Sequence, residues 1–331
     1  MRIAVAGSHG LIGSALVPAL SQAGHDVHTL VRRAPAAPRE IGWSPDQTGL
    51  APESLAGFDA VIALGGENIG AHRWSGQVKQ RLRNSRIIPT TALADAVTEA
   101  GVGVFISASA TGFYGDTGDT AVDESAPPGT GFLPDLVVDW ESAAASATSA
   151  RVVMLRTAPV LSRRGGVLGR LRPVYRLGLG ARLGDGRQWF SWISLTDEIA
   201  AIRHVLDDDT ITGPVNLTAP EPVRFTDFSA ELARAVHRPA VLRVPAALAR
   251  KAGGEMVEEM ILTSSRVVPK LLTDSGFTFT HSHLTSALEY CCAQRIVARR
   301  RRIDRSPPPR RDGLHRSLRA ATPTGRATRD R

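Results

Sequence analysis

The chain has 331 residues, is 43% hydrophobic and holds only two cysteines, the adjacent Cys291 and Cys292, so it offers neither a disulfide framework nor a metal-ligand spacing. No run approaches the roughly 18 apolar residues of a membrane-spanning helix, and no signal-peptide cleavage pattern follows the N-terminus; a cytoplasmic protein that spans no membrane is expected. The net charge of +8 is concentrated at the end, because residues 295–331 carry 13 Arg and 3 Asp while residues 1–294 carry 27 basic and 29 acidic residues.

Arg2–Ala6 reads as a buried strand, and Leu11–Ala23 places Leu11, Ile12, Ala15, Leu16, Ala19, Leu20 and Ala23 on one helical face before Gly24. Asp26–Val31 is a second strand, followed by Arg32-Arg33 and a Pro/Ala-rich loop. Asp59–Leu64 reads as a third strand, Thr90–Ala100 as a helix, Val102–Ser107 as a fourth strand and Arg151–Arg156 as a fifth. This alternation predicts an α/β fold, a Rossmann doubly wound parallel sheet with a smaller C-terminal subdomain. The expected divisions are 1–160 for the sheet domain with later returning segments, a glycine-punctuated substrate-loop region at 161–225, and a small domain at 226–290. The Arg-rich tail, 295–331, has too little apolar surface to fold and is expected to be disordered. A nucleic-acid role rests on that tail alone, as charge attraction without sequence preference.

Gly7, Gly10 and Gly13 are spaced G-x-x-G-x-x-G at the first strand–helix junction. Gly7 suits the sharp turn, Gly10 leaves room for a phosphate, and Gly13 lets helix and strand pack closely. The helix N-terminus then presents free N–H groups to a pyrophosphate. The second strand ends in Arg32-Arg33 where NAD-selective sites usually carry an acidic residue, and Asp26 lies at the far end of that strand. Guanidinium groups at that place suit a 2′-phosphate, which points to NADP(H).

The blocks AGSHGLIGSAL, DAVIALGGENI, RWSGQVKQRLRNSR, SASATGFYGD, DWESAA, RLGLGARLGDGRQWFSWISLTD and GPVNLTAPEPV occur in that order. With them the chain resembles the extended short-chain dehydrogenase/reductases, in the atypical branch called epimerase family proteins, which are similar to NAD-dependent epimerases and dehydratases. SSRVVPKLLTDSGFTF resembles that branch's small C-terminal domain, DUF1731, and the likeness runs from about residue 1 to residue 290. The resemblance implies that Gly7, Gly10, Leu11, Ile12 and Gly13 line the pyrophosphate. It also implies that Arg32 faces the adenosine phosphate, that Leu64 and Gly65 lie beside the cofactor, and that Arg86 is a further cofactor residue. Three positions depart from the family pattern: Ala6 stands for the usual Thr, Ala63-Leu64-Gly65-Gly66 for NLAG, and Phe113-Tyr114-Gly115 for YYG.

Ordinary members use a Ser, a Tyr and a Lys, the last two spaced Y-x-x-x-K on a helix, where the Lys charge lowers the Tyr pKa. Here Ser109 stands at the end of the fourth strand, but aligning on the W-E block puts Val137 in the Tyr place and Glu141 in the Lys place. Tyr114 and Glu141 are therefore the candidate acid/base groups beside Ser109. Glu67 and Asn68 after the third strand, with Arg187, Gln188 and Trp192 from the glycine-rich loop, are candidates for a substrate pocket at the carboxyl edge of the sheet. Trp140 and Trp192 are of a type more often found in a core or interface than as a substrate platform, Glu141 also suits an exposed helix face, and His9 is expected in a surface loop. Two functions follow. One is an NADP(H)-dependent oxidoreductase or epimerase-like enzyme acting on an unidentified small molecule; the other is a non-catalytic NADP(H)-binding sensor acting through a partner.

Overall fold

Residues 1–292 are described by a computed structural model. Six strands, β1 (Arg2–Ala6), β2 (Asp26–Val31), β3 (Glu40–Gly42), β4 (Ala60–Ala63), β5 (Val104–Ala110) and β6 (Arg151–Thr157), join a seventh at Gly213–Leu217. Their order across the sheet is Gly213–Leu217, β6, β5, β4, β1, β2, β3, and all six pairings are parallel. The strand order reverses between β1 and β4, which opens a crevice at their carboxyl ends. The expected doubly wound sheet is present. β3 is an added edge strand of only three residues, too short to show alternation in the sequence.

Each face of the sheet has its own apolar layer. Ile3, Val5, Ile62, Ile106, Val153 and Leu155 pack with Leu16 and Leu20 of α1 (Gly13–Gln22) on one side. Ala4, Ala6, Val61, Ala63 and Phe105 face the other side, against Leu93 and Val97 of α2 (Gly76–Ala100) and Ala144 of α3 (Phe132–Ala145). Each fully buried Leu, Ile or Phe contributes about 1.5–3 kcal/mol of burial free energy. The sequence shows only the second half of α2. Pro89 lies inside the helix, where it lacks a backbone donor and breaks the pattern. The Ser75 hydroxyl caps the true start, accepting the Val78 N–H at 3.3 Å, and Gly101 at φ 68° ends the helix.

Beyond β6 come α4 (Gly166–Arg176), α5 (Leu195–Asp207) and α6 (Phe225–Ala235). Short helices follow at Ala246–Gly253 and Lys270–Asp274, with a last helical stretch at 284–292. The stretches 161–225 and 226–290 interlock, since Ala181–Leu183 pairs in parallel with Leu242–Val244. The expected disordered tail, 295–331, lies outside the described residues. Among the described residues no helix is long and apolar enough to cross a membrane.

Candidate functional site

At the carboxyl ends of β1, β2 and β4 a cavity of about 800 Å³ is lined by Gly7, Ser8, His9, Gly10, Arg32, Arg33, Trp43, Gly65, Gly66 and Glu67, with Ser85 and Thr90 of α2 behind them. Its wall is built from backbone approaches that side chains would block. Gly7 has φ 79°, and a Cβ there would sit 2.7 Å from the Leu64 carbonyl oxygen. A Cβ on Gly13 would lie 2.3 Å from the Gly7 carbonyl oxygen, so Gly13 shapes the loop from behind. A Cβ on Gly65 meets nothing within 4 Å, because that glycine faces the opening.

Gly10 N–H bonds the Gly7 carbonyl at 3.0 Å, which folds the loop back on itself. Among the described residues the N–H groups of Leu11 and Ile12, just ahead of α1, have no protein acceptor. Their side chains pack on the core, as does that of Leu64, and none of these three residues is among those that line the cavity. Open donors at a helix start, a bare glycine wall and an exposed Arg32 at one end fit a dinucleotide with an added phosphate.

Arg32 and Arg33 differ. Arg33 closes on Glu40 with both terminal nitrogens, at 2.8 and 2.6 Å, whereas Arg32 lines the cavity with no ion-pair partner among the described residues. Arg86 sits behind the wall rather than in it. Its Nη2 donates to the Glu67 carbonyl at 2.8 Å, its Nη1 to the Leu82 carbonyl at 3.1 Å, and its guanidinium lies 5.2 Å from the Trp140 ring centroid. Burial pulls its pKa down to about 10. Arg86 thus fixes the loop that follows β4.

Ser109, Tyr114 and Glu141 do come together, through two residues that sequence reasoning missed. In register, Ser109 faces Arg156 and Arg156 faces Asn216 across three adjacent strands, so all three side chains project from one side of the sheet, where α3 brings Glu141. Arg156 donates to both carboxylate oxygens of Glu141 at 2.8 Å, and Ser109 donates to Oε1 at 2.5 Å. Arg156 also donates to the Tyr114 hydroxyl at 2.9 Å, and Tyr114 donates to Asn216 Oδ1 at 2.7 Å. Burial pushes the Tyr114 phenol above its ordinary pKa against the pull of Arg156. The set is buried, none of its members lines the large cavity, and Glu141 is neither an exposed helix carboxylate nor free of partners. A charged residue directly after the apolar run Val152–Leu155, matched by Glu141 on an apolar helix face, was the available signal, since buried charges come paired.

The substrate candidates are not one pocket. Glu67 lines the large cavity, and beside it Asn68 Oδ1 accepts from Gly70 N–H and from Arg170. Arg187 lines a separate cavity of about 490 Å³ with Arg182, Asp185, Arg224, Thr226 and Asp227. Gln188 spends its amide on the Leu183 and Ile261 carbonyls at 3.3 and 3.2 Å. Trp192 is 0% exposed in the core layer that includes Leu168 and Phe228, so it is no substrate platform; it leads into Ile193–Ser194, a buried strand pairing with Val160–Leu161. His9 is an exposed loop residue, as expected, and it also lines the cavity, with Ser8 Oγ 3.2 Å from its Nδ1.

Comparison with known proteins gives a consistent family. Residues 3–217 match the NAD dependent epimerase/dehydratase family, and residues 244–291 match a domain of unknown function, DUF1731. An epimerase family protein of Mycobacterium bovis is 49% identical over 290 residues, covering 87% of this chain and 96% of that one. The human epimerase family protein SDR39U1 is 33% identical over 295 residues, covering 87% and 99% of the two chains. A crystal structure of the human protein (isoform 2) with NADPH superposes with a TM-score of 0.80 at 30% identity, over 88% of this chain and 99% of that one. A nucleoside-diphosphate sugar epimerase from Corynebacterium glutamicum gives a TM-score of 0.74 at 32% identity, over 93% of this chain and 62% of that one.

Proposed function

The chain belongs to the NAD dependent epimerase/dehydratase family, and from that premise we propose that it is an NADP(H)-dependent oxidoreductase or epimerase-like enzyme acting on a small molecule. The observation that carries this reading is the glycine-walled cavity ending at the uncommitted Arg32. The human relative was crystallised with NADPH, in keeping with it. Leu11 and Ile12 N–H would hold the pyrophosphate, Arg32 would meet the 2′-phosphate, and Gly65 would leave room beside the dinucleotide. NADP(H), when bound, supplies a hydride donor or acceptor at its nicotinamide ring.

What this chain's residues do around the ordinary catalytic place is hold protons still. Tyr114 keeps its proton on the bond to Asn216, and Glu141 is locked by Arg156. That closed set favours a second reading, a protein that binds NADP(H) without turnover and acts through a partner. Titrating the full chain with NADPH and NADH by cofactor fluorescence, beside Arg32→Ala and Gly10→Glu, tests the shared premise. Preferential NADPH binding lost in both variants supports it, and binding of neither cofactor removes it. Transfer of deuterium from C4-labelled NADPH to a panel of aldehydes, ketones and sugar nucleotides then separates enzyme from sensor.

A further inference from the structure

The loop after β2 holds its two arginines in different electrostatic states. Arg33 is turned back onto β3, where its guanidinium meets the Glu40 carboxylate in a two-bonded pair and its Nη1 also donates to the Ala34 carbonyl at 2.9 Å. The same carboxylate takes the Ala36 N–H at 2.7 Å, so Glu40 fixes the loop backbone as well as the arginine. Pro35 packs under Gly42, where an added Cβ would lie 3.2 Å from the proline ring. The arrangement is preformed: Arg33 stays at the cavity rim with its charge already balanced, and Arg32 beside it has no ion-pair partner among the described residues.

We propose that Glu40 sets the cofactor specificity of this site, by holding Arg33 neutralised so that Arg32 alone reads the 2′-phosphate. The proposal rests on the NADP(H) reading above. A phosphate dianion and a carboxylate compete for one guanidinium, and a two-bonded carboxylate pair with a further backbone anchor is hard to displace. The hydrogen bonds of Arg33, then that of Ala36, hold the Glu40 carboxyl at about 2, so the pair persists across the pH range in which cofactor is bound. Glu40 therefore limits the margin between NADPH and NADH to what one arginine supplies. Removing its charge while keeping an acceptor for Ala36 releases Arg33 to a second charge-assisted contact.

The experiment measures NADPH and NADH dissociation constants for the full chain as wild type, Glu40→Gln, Arg32→Ala and the double variant Arg33→Ala/Glu40→Gln. Glu40→Gln is expected to raise the NADPH-over-NADH preference by about tenfold, with NADH affinity unchanged as the check that the site still folds. The double variant, which removes the balanced pair whole, is expected to keep the wild-type preference within about twofold. Arg32→Ala is expected to abolish it. An unchanged or smaller preference in Glu40→Gln, or a collapse in the double variant, overturns the proposal, the latter because Arg33 must then leave Glu40 for the phosphate. If the wild type itself shows no preference for NADPH, the underlying cofactor reading fails and the proposal falls with it.

Discussion

Arg156 grips both carboxylate oxygens of Glu141 at 2.8 Å in a place where the two side chains are only 4% and 11% exposed. Removing one member leaves the other's charge buried without a partner, a change that typically costs about 3–5 kcal/mol. Glu141→Ala and Arg156→Met should each lower urea-unfolding stability by that order. The pair Arg156→Met/Glu141→Leu should cost clearly less than the sum of the single changes. Additive losses would mean that the two side chains stabilise the fold independently.

The glycines of the cavity wall divide by what a methyl group would strike. Gly13→Ala drives a Cβ against the Gly7 carbonyl oxygen, 2.3 Å away, and Gly65→Ala points one into open space. Overpacking against backbone costs about 1–3 kcal/mol or more. Thermal unfolding should show Gly13→Ala destabilised by that amount and Gly65→Ala within about 1 kcal/mol of wild type. Gly65→Ala should nonetheless weaken NADPH binding, read by fluorescence titration. Equal stability of the two variants would remove the argument that Gly13 exists for close packing.

The parts of this architecture that were legible in the sequence are those that local chemistry decides. β1, the glycine turn, α1 and β2 each carry their own period or punctuation. β3 and the first half of α2 escaped because one is three residues long and the other is interrupted by Pro89. The site divides the same way. Gly7, Gly10 and Arg32 line the cavity from contiguous segments, whereas Arg156 and Asn216 acquire their roles only from strand register, with partners 15 to 102 residues away. Of the two places open to Trp192 in the sequence, core or pocket, the structure takes the core; composition does not tell a buried aromatic from one that faces a ligand.

The start of α3 is capped from a distance. Its N-cap residue, Gly131, has no side chain to offer, and the Glu259 carboxylate takes the Phe132 and Leu133 N–H groups at 3.0 and 2.7 Å instead. A carboxylate at a helix N-terminus satisfies open donors and complements the helix dipole. Glu259→Ala should cost about 1–2 kcal/mol, with amide hydrogen exchange accelerated at Phe132 and Leu133 while α5 keeps its protection. Exchange unchanged at those two amides would show that the cap contributes nothing.

Glu198 gives the fold a dependence on pH. It is 0% exposed on α5, with Oε1 accepting the Thr157 hydroxyl at 2.9 Å and Oε2 lacking a partner among the described residues. Burial pushes its pKa up to about 8, against the Thr157 hydrogen bond, which lowers it. An unfolded glutamate titrates near ~4.3, so between these values the folded chain keeps a proton that the unfolded chain has released. Stability from this group is therefore full below the lower value and falls as pH rises toward the upper one. Glu198→Gln keeps the shape and an acceptor for Thr157 but has no proton to lose. Relative to wild type the variant should gain on the order of 3 kcal/mol between about pH 5 and pH 8, measured by urea unfolding at each pH. A difference that stays constant across that range would mean that Glu198 titrates alike in both states and that its burial carries no pH cost.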